Sequence, residues 1–399
     1  MTVEIRTPDE EDRDQVADVL RTSLNFSKAW RERRAAALPL QDLRCAYDGG
    51  RVLATAGAHR LHQWFGGRDP ITSGIYAVAT LPEHRGTGLA SAALMQILHE
   101  AREEGVPLTT LYPAVLRPYR KLGYELAGTY NEHRVALDAI PEDLGSDLPP
   151  VETLDIERDL DGLKACYRGW ASRHNGAIEP TDDTWWTRRV LESWGDHVAR
   201  AVVVRGAGGE VEGFASFRYQ ETPGHLDVSF GVECFVLSTT TGRATRALLR
   251  YFRGFRGVGV WLGWNGPGDD PIAMLIPDQA IETPYRYRWM LRLLDVPAAL
   301  EGRGYPPVDA DATFAVHDGD FPENAGPWRL EVQNGKAHVE RATGATVRPI
   351  PVGALSAMYS GFLRVPDAVE LGYLDGDDPA GTALDRLFAG PDPWCPFFF

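Results

Sequence analysis

Residues 81–90 read Leu-Pro-Glu-His-Arg-Gly-Thr-Gly-Leu-Ala, and this stretch lies between a predicted strand, Ile75 to Thr80, and a predicted helix. The helix begins at Gly88, carries one apolar stripe and ends at Gly105. A glycine-containing loop at a helix N-terminus exposes backbone N–H groups, and the helix dipole favours negative charge there. The stretch therefore predicts a pyrophosphate site, although a glycine turn before the helix of an ordinary α/β domain is the alternative.

The residues around this loop predict a mixed α/β domain. A strand from Val3 to Arg6 leads into a helix whose start we place at Thr7, with Glu10 completing a capping box. Apolar alternation and turn signals predict a hairpin over 43–47 and 52–58, a strand over 108–112, a short basic helix over 117–121 and a strand over 124–137. We therefore predict one domain over residues 1–140.

The rest of the chain predicts two more domains. At 399 residues the chain exceeds what one hydrophobic core usually supports. Proline, glycine and acidic residues over 141–152 predict a linker, and residues 153–290 repeat the coarse element order of the first domain, with helical patterns over 158–173 and 181–194. Short strands and two helical stretches predict a third, α+β domain over 291–399.

Composition and net charge limit the kinds of molecule that we expect the protein to bind. With 41 basic and 56 acidic side chains the formal charge is −15. Such a charge repels nucleic acid and anionic membranes and attracts cationic amines. The alternative is that the charge only keeps the protein soluble. The four cysteines are widely separated and have no histidines at metal-ligand spacing, so neither a disulfide framework nor a metal site is predicted. An acidic N-terminal segment and the lack of a long apolar run predict a cytoplasmic protein.

The loop at 81–90 resembles a known cofactor-binding motif. The GCN5-related N-acetyltransferases (GNAT) carry Arg/Gln-x-x-Gly-x-Gly/Ala, and the matching residues here are Arg85, Gly86, Thr87, Gly88, Leu89 and Ala90. The resemblance implies that acetyl-CoA is the cosubstrate and that this loop holds its pyrophosphate. It also implies that the backbone around Val78, Ala79 and Thr80 pairs with pantetheine and polarises the thioester carbonyl.

A second family signature lies at Tyr119-Arg-Lys-Leu-Gly-Tyr124, which matches Tyr/Phe-x-x-x-Gly-Phe/Tyr. The resemblance implies that Tyr124 is the general acid that protonates the departing CoA thiolate, with Arg120 and Lys121 close enough to affect its acidity. A core tyrosine that starts a strand is the alternative. The amine also needs a proton acceptor, because an ammonium has no lone pair for attack. His84 lies beside the phosphate loop, where we expect it to support the turn.

The order of the domains resembles the Eis (enhanced intracellular survival) family of actinobacterial acetyltransferases, which has two tandem GNAT-like domains followed by a sterol-carrier-protein-like α+β domain. The local marks are the Tyr119–Tyr124 signature, the strand that starts at Trp328 after Asn324-Ala-Gly-Pro, and the final segment Pro393-Trp-Cys-Pro-Phe-Phe-Phe399. The resemblance implies a terminal Phe399 carboxylate that acts as base, an aminoglycoside acceptor and a hexamer. A tail docked for stability alone is the alternative.

The remaining residues complete the prediction. The second domain carries Thr239-Thr-Thr-Gly-Arg-Ala244 at the corresponding turn and lacks the leading arginine and the second glycine, so we predict that it binds no CoA. Phe26 and Trp30 follow the first helix, where related enzymes line the acceptor pocket, and ordinary packing is equally compatible. We predict direct acetyl transfer to a primary amine. The alternatives are lysine N-acetylation of peptides or proteins, and a lipid-binding or scaffold protein.

Overall fold

Two β-sheets organise the chain in a computed structural model that describes residues 3–27, 35–180, 186, 199–223, 227–343, 348–376 and 379–398. The strands of the first sheet are β1 (Glu4–Arg6), β2 (Leu43–Asp48), β3 (Arg51–Gln63), β4 (Ile71–Thr80), β5 (Leu108–Leu111), β6 (Glu125–Ala136), β7 (Val151–Thr153), β8 (Ile178–Pro180), β9 (Arg200–Arg205), β10 (Val211–Glu221), β11 (Phe230–Thr239), β12 (Gly259–Asn265) and β13 (Ile281–Leu293). They run in the order β1-β2-β3-β4-β5-β13-β6-β12-β11-β10-β9-β7, and β8 pairs with β3. The second sheet has the order β16-β15-β14-β17, from β14 (Ala310–His317), β15 (Gly326–Gln333), β16 (Lys336–Arg341) and β17 (Ile350–Pro351).

Helices cover the first sheet in two groups and surround the second. They are α1 (Arg13–Leu24), α2 (Leu89–Glu103), α3 (Leu116–Arg120), α4 (Ile156–Ala171), α5 (Gly242–Arg253), α6 (Val296–Gly302), α7 (Val352–Ser360), α8 (Val365–Glu370) and α9 (Pro379–Phe388). Helices α1 and α2 pack on β2, β3 and β4, whereas α4 and α5 pack on β10 and β11. The predicted mixed α/β and α+β class is confirmed, while the predicted helix over 181–194 lies outside the described residues apart from Trp186.

The first helix is capped by a different residue from the predicted Thr7. Asp9 accepts hydrogen bonds from the backbone of residues 11 and 12, and the Asp12 side chain accepts from the Asp9 N–H, so the capping box lies two residues further along. The Asp12 carboxylate also binds Arg6 at 2.9 Å and the Tyr47 hydroxyl at 2.7 Å. A carboxylate with three partners fixes the helix start more firmly than the Thr7 hydroxyl would.

The last strand of the second unit completes the sheet of the first. β13 lies between β5 and β6, with Met290 opposite Leu111 and Tyr287 opposite Tyr130. The C-terminal residues of β13, 289–293, are buried, and Trp289 has no exposed surface. The two units therefore share one continuous sheet, and a domain limit at 290 falls inside a strand that the first unit needs for its core.

A buried ion pair joins the third domain to the first unit. Arg292, on β13, has no exposed surface, and it contacts Asp318 at 2.9 Å and Asp320 at 3.1 Å. Its guanidinium also donates to the Leu122 carbonyl, in the turn that leads into β6. Gly123, in the same turn, has a φ of 75°, and a Cβ there would meet the Arg292 guanidinium. Arg292 thus fixes the turn between the two tyrosines of the second signature.

The final segment of the chain inserts beside β6. The Thr129 N–H donates to the Pro393 carbonyl at 3.0 Å, and the Cys395 N–H donates to the Thr129 carbonyl at 2.8 Å. Trp394 and Cys395 are each 1% exposed, and the Trp394 N–H donates to the Asn175 carbonyl at 2.9 Å. The tail is therefore held by backbone pairing and by burial of its side chains, as an additional short strand of the shared sheet.

Candidate active site

The loop between β4 and α2 presents an open backbone surface. Gly86 and Gly88 have φ angles of 83° and 85°, and a Cβ on either would meet no atom of the described residues within 4 Å. The first bond of α2 runs from the Ala92 N–H to the Gly88 carbonyl at 2.9 Å, so the N–H groups before it have no partner inside the helix. Thr87 Oγ1 donates to the His84 carbonyl at 2.6 Å and stabilises the turn. A pyrophosphate fits this surface in charge and in donor geometry.

The pairing between β4 and β5 ends before this loop, and we call the opening beside the unpaired end of β4 the wedge. Their last paired residues are Ile75 and Leu111, after which β4 continues beside β3 alone. Ala77 has a φ of 53°, and the pairing with β3 shifts register there, so β4 carries a bulge. Thr55 Oγ1 holds the bulge by donating to the Ala77 carbonyl at 2.7 Å. Residues 78–80, predicted to contact the cofactor, follow the bulge and face the wedge along β4. No local sequence signal predicts this bulge.

The C-terminal end of α1 is bonded to the end of β4 and to the glycine loop. Ser23 Oγ donates to the Thr80 carbonyl at 2.9 Å, and Arg85 Nη2 donates to the Ser23 carbonyl at 3.2 Å. Phe26, a predicted acceptor-site residue, follows this helix end and is 37% exposed. Trp30, its predicted companion, lies outside the described residues. The end of α1 that precedes Phe26 is therefore fixed to the end of β4 and to the glycine loop, and the role of Phe26 in acceptor binding stays a prediction.

The two tyrosines of the second signature differ in accessibility. Tyr124 is 1% exposed, its hydroxyl lies 2.8 Å from Thr109 Oγ1, and burial raises its pKa. Tyr119, at the end of α3, is half-buried, and burial raises its pKa to about 12. Arg120 is occupied by a bidentate contact with Glu125, with distances from 2.7 to 3.1 Å. Tyr119 is therefore the more accessible of the two, whereas the predicted acid Tyr124 lies in the core.

The tail places an aromatic ring at the end of β5. Phe398 lies 4.2 Å from Tyr112 and 4.4 Å from Tyr130, measured between ring centroids. Tyr112 directly follows the last residue of β5, where the wedge opens. Phe399, the predicted base, lies outside the described residues. The residue that precedes it therefore docks at the base of the wedge.

A cavity of about 250 Å³ lies beyond Phe398, on the side of the second unit. Its floor carries Glu132 from β6 and Glu233 from β11, and Tyr130 donates to Glu132 at 3.3 Å. The lining also includes the arginines Arg134 and Arg218 and the aromatic side chains of Phe235, Trp261, Trp264 and Phe398. Sequence reasoning missed both carboxylates, because they lie on strands about 100 residues apart that only the shared sheet brings together.

The second unit has a different surface at the turn before α5. Thr241 caps the helix, and Glu212 accepts from the Thr241 hydroxyl at 2.9 Å and from Arg243 Nε at 2.8 Å. A carboxylate at this helix N-terminus repels a pyrophosphate. A cavity of about 400 Å³ lies beside the turn and is larger than the one at Phe398, yet the open glycine loop that suits a nucleotide cofactor belongs to the first unit.

The described residues contain no group of three or more His, Cys, Asp or Glu side chains that could hold a metal ion. All four cysteines are buried, and none of them forms a disulfide bond. Within the same part of the chain, no helix is both long enough and apolar enough to cross a membrane.

Comparison with known families covers most of the chain. Residues 4–127 match the acetyltransferase (GNAT) domain, residues 176–293 match a second acetyltransferase (GNAT) domain, and residues 296–396 match the sterol carrier protein domain. These matches confirm the predicted order of two GNAT-like domains and a sterol-carrier-protein-like domain. GNAT acetyltransferases use acetyl-CoA, the cosubstrate that the loop motif predicts.

Individual relatives agree with this division. An uncharacterized N-acetyltransferase of Streptomyces griseus is 28% identical over 388 residues, which cover 92% of this chain and 91% of that protein. The N-acetyltransferase Eis of Mycobacterium bovis is 24% identical over 368 residues, with 88% and 82% covered, so the similarity to Eis is distant. The crystal structure of a GCN5-related N-acetyltransferase from Anabaena variabilis has a TM-score of 0.91 at 25% identity and covers all of both chains. The chain is therefore an N-acetyltransferase built of two GNAT domains and a C-terminal sterol-carrier-protein-like domain.

Proposed function

We propose that the first unit transfers the acetyl group of acetyl-CoA directly to a primary amine of a cationic small molecule, with aminoglycosides as the acceptor class. The observation that carries this proposal is the combination of the open Gly86–Gly88 loop with the wedge between β4 and β5. The loop suits the pyrophosphate, and the wedge leads from it toward Tyr112 and the tail. A pantetheine arm along residues 78–80 would bring the thioester to the base of the wedge.

The chemistry requires one proton to leave and one to arrive. The neutral amine attacks the thioester carbonyl carbon, and the resulting oxyanion is stabilised by backbone N–H groups near Val78 and Thr80. Collapse of this intermediate breaks the C–S bond. The departing thiolate takes a proton from an acid, and the new ammonium loses one to a base.

The proposed acid is a tyrosine of the turn that Arg292 fixes. The family signature predicts Tyr124, whose buried hydroxyl is bonded to Thr109. Accessibility favours Tyr119, whose ring is half-buried at the end of α3 and packs edge-on against Tyr124 at 6.1 Å. A phenol with a raised pKa stays protonated at neutral pH and can give its proton to a thiolate. We therefore propose Tyr119 as the proton donor and Tyr124 as the residue that positions it.

The proposed base is the α-carboxylate of Phe399, where that residue ends the chain. The docking of Phe398 against Tyr112 supports this role, because it brings the described end of the tail to the end of β5. Burial of Phe397, which is 4% exposed, supplies an apolar surrounding. Such a surrounding raises the pKa of a carboxyl group and makes it a more effective base.

The proposal is tested by measuring CoA thiol release from acetyl-CoA with the untagged protein and three acceptor classes: aminoglycosides, simple diamines and lysine peptides. We expect turnover with aminoglycosides and with diamines. Turnover with peptides alone would replace the proposed acceptor by a protein lysine. If acetyl-CoA binds but none of the acceptors in the panel causes release of the thiol, the proposed acceptor class is refuted.

The oligomeric state and the cellular compartment remain predictions from the sequence. We propose a homo-hexamer in the cytoplasm, without nucleic-acid or membrane partners. Light scattering coupled to size exclusion measures the oligomer, and cell fractionation measures the compartment. A monomeric mass, or recovery of the protein with membranes, would contradict the respective prediction.

A further inference from the structure

The cavity beyond Phe398 is lined by two carboxylates, two arginines and several aromatic side chains. Glu132 is partly exposed on β6, opposite Asn265 of β12, and Glu233 lies one strand further, opposite Gly263. Pro396, Phe397 and Phe398 of the tail close the cavity on the side of the wedge. The cavity and the wedge are therefore neighbouring spaces that share the Phe398 ring as a wall.

The charges of the two carboxylates are balanced differently. Glu233 forms an ion pair with Arg218 at 2.7 Å. Arg134, the other cation of the lining, stacks its guanidinium over the Trp261 ring, 3.8 Å from the centroid. Glu132 accepts a hydrogen bond from Tyr130, and no cationic side chain of the described residues lies within ion-pair distance of it. Glu132 is the carboxylate that can still accept a cation.

Burial raises the pKa of Glu132, and the like charge of Glu233 adds to this shift, while the hydrogen bond from Tyr130 and the positive charge of Arg134 only partly oppose it. The partly buried carboxylate therefore gains when a positive charge enters the cavity. Arg134 already lies over the Trp261 ring and Arg218 over the Phe235 ring, so Phe398 is the aromatic side chain that can attract a further cation. The two arginines are engaged by these rings and by Glu233, which leaves the Glu132 carboxylate to interact with a charged ligand. The chemistry of the cavity matches an alkylammonium group.

We infer that Glu132 binds a second ammonium group of the acceptor and so makes the enzyme select amines that carry at least two positive charges. This inference rests on the proposed function, because it assumes that one amine of the acceptor reaches the wedge while another occupies the cavity. Contacts between aromatic rings connect the wedge to the cavity. Phe398 contacts Tyr112 on the wedge side and Tyr130 on the cavity side, and Tyr130 is bonded to Glu132.

The test compares two acceptors that differ in one amine, 1,5-diaminopentane and n-pentylamine, in the wild type and in Glu132→Gln. The amide keeps the volume and can still accept from Tyr130, but it has no charge. We expect KM for the diamine to rise roughly tenfold or more, since a bond to a charged group is worth that factor, with the monoamine parameters unchanged. Glu103→Gln removes the same charge at an exposed position at the far end of α2 and serves as the control.

Calorimetric titration of the diamine into each variant separates this inference from the proposed function. Loss of diamine binding in Glu132→Gln alone supports the inference, even where no acetyl transfer is seen and the proposed function fails. Equal losses for the diamine and the monoamine would overturn it, as would a diamine KM and affinity that stay at the wild-type value. In either of these cases acetyl transfer by the wild type would leave the proposed function standing.

Discussion

Replacing Arg292 by methionine tests whether the buried ion pair holds the third domain to the catalytic unit. The substitution keeps the aliphatic stem and leaves Asp318 buried without its cation, since Asp318 is 4% exposed. Removing one partner of a buried pair costs about 3–5 kcal/mol. If the 399 residues unfold together, an entropy near 2.1 cal/mol/K per residue gives about 0.8 kcal/mol/K, so a loss of about 4 kcal/mol lowers Tm by roughly 5 °C.

Differential scanning calorimetry measures this shift, and the double variant Arg292→Met/Asp318→Asn isolates its cause. Asparagine at 318 is neutral and can still accept from the backbone N–H groups of residues 320 and 321, which now donate to Asp318 at 3.1 Å. We therefore expect the double variant to recover about half of the lost stability, because the uncompensated charge is gone. A Tm within about 1 °C of the wild type for Arg292→Met, or a double variant less stable than the single one, would refute the reasoning.

Four further predictions concern the site and its support. Tyr119→Phe should lower kcat about 100-fold with little change in Tm, because it removes the proposed proton donor. Tyr124→Phe should lower the free energy of unfolding by about 1 kcal/mol and change kcat little. If calorimetry and steady-state kinetics show the opposite pattern, Tyr124 is the acid. Gly88→Ala should raise KM for acetyl-CoA at least several-fold, because an L side chain is strained at a φ of 85° and adds bulk at the phosphate surface, and an unchanged KM would contradict the cofactor site. A Gly-Ser-Gly extension after Phe399 should lower kcat at pH 7 while leaving acetyl-CoA binding intact, and full activity of the extended chain would exclude the terminal carboxylate as base. Burial alone would raise the pKa of Asp12, but hydrogen bonds from Tyr47, the Asp9 N–H and Arg6 outweigh burial and hold the pKa below its usual range. The ionised Asp12 should therefore stabilise the fold above about pH 4, and this stabilisation should be lost as the pH falls below that value. The Tm values of the wild type and of Asp12→Asn should then converge in acid.

Local features of the site could be predicted from the sequence because they depend on short-range physics. The loop before α2 needs glycines at positive φ, and Gly86 and Gly88 are found there. Helix α2 follows from its apolar stripe and ends at residue 103, close to the predicted stop at Gly105. The second signature correctly marks a turn between α3 and β6. It does not determine which tyrosine is exposed, because that depends on the alternation of side chains at the start of β6.

Long-range features could not be predicted in the same way. β13 pairs with β5 and β6, and its partner residues lie 146 to 185 positions away in the chain, a separation for which one sequence carries no signal. A second long-range pairing, of β6 with β12, brings Glu132 near Glu233 on β11 and so forms the cavity. The bulge at Ala77 is equally hidden, since alanine has no preference for a positive φ. Tertiary context, and not residue preference, decides each of these features.

The place of β13 in the sheet has a consequence for the synthesis of the protein. When the ribosome has made residues 1–140, the strands β5 and β6 are present but the strand that joins them is not. At about 5–20 residues per second, residues up to 293 follow only roughly 10–30 s later. During that interval two strand edges are open to pairing with other chains. The nascent catalytic unit is thus a natural client for chaperones, and a gene fragment that ends at residue 140 should yield an aggregating polypeptide.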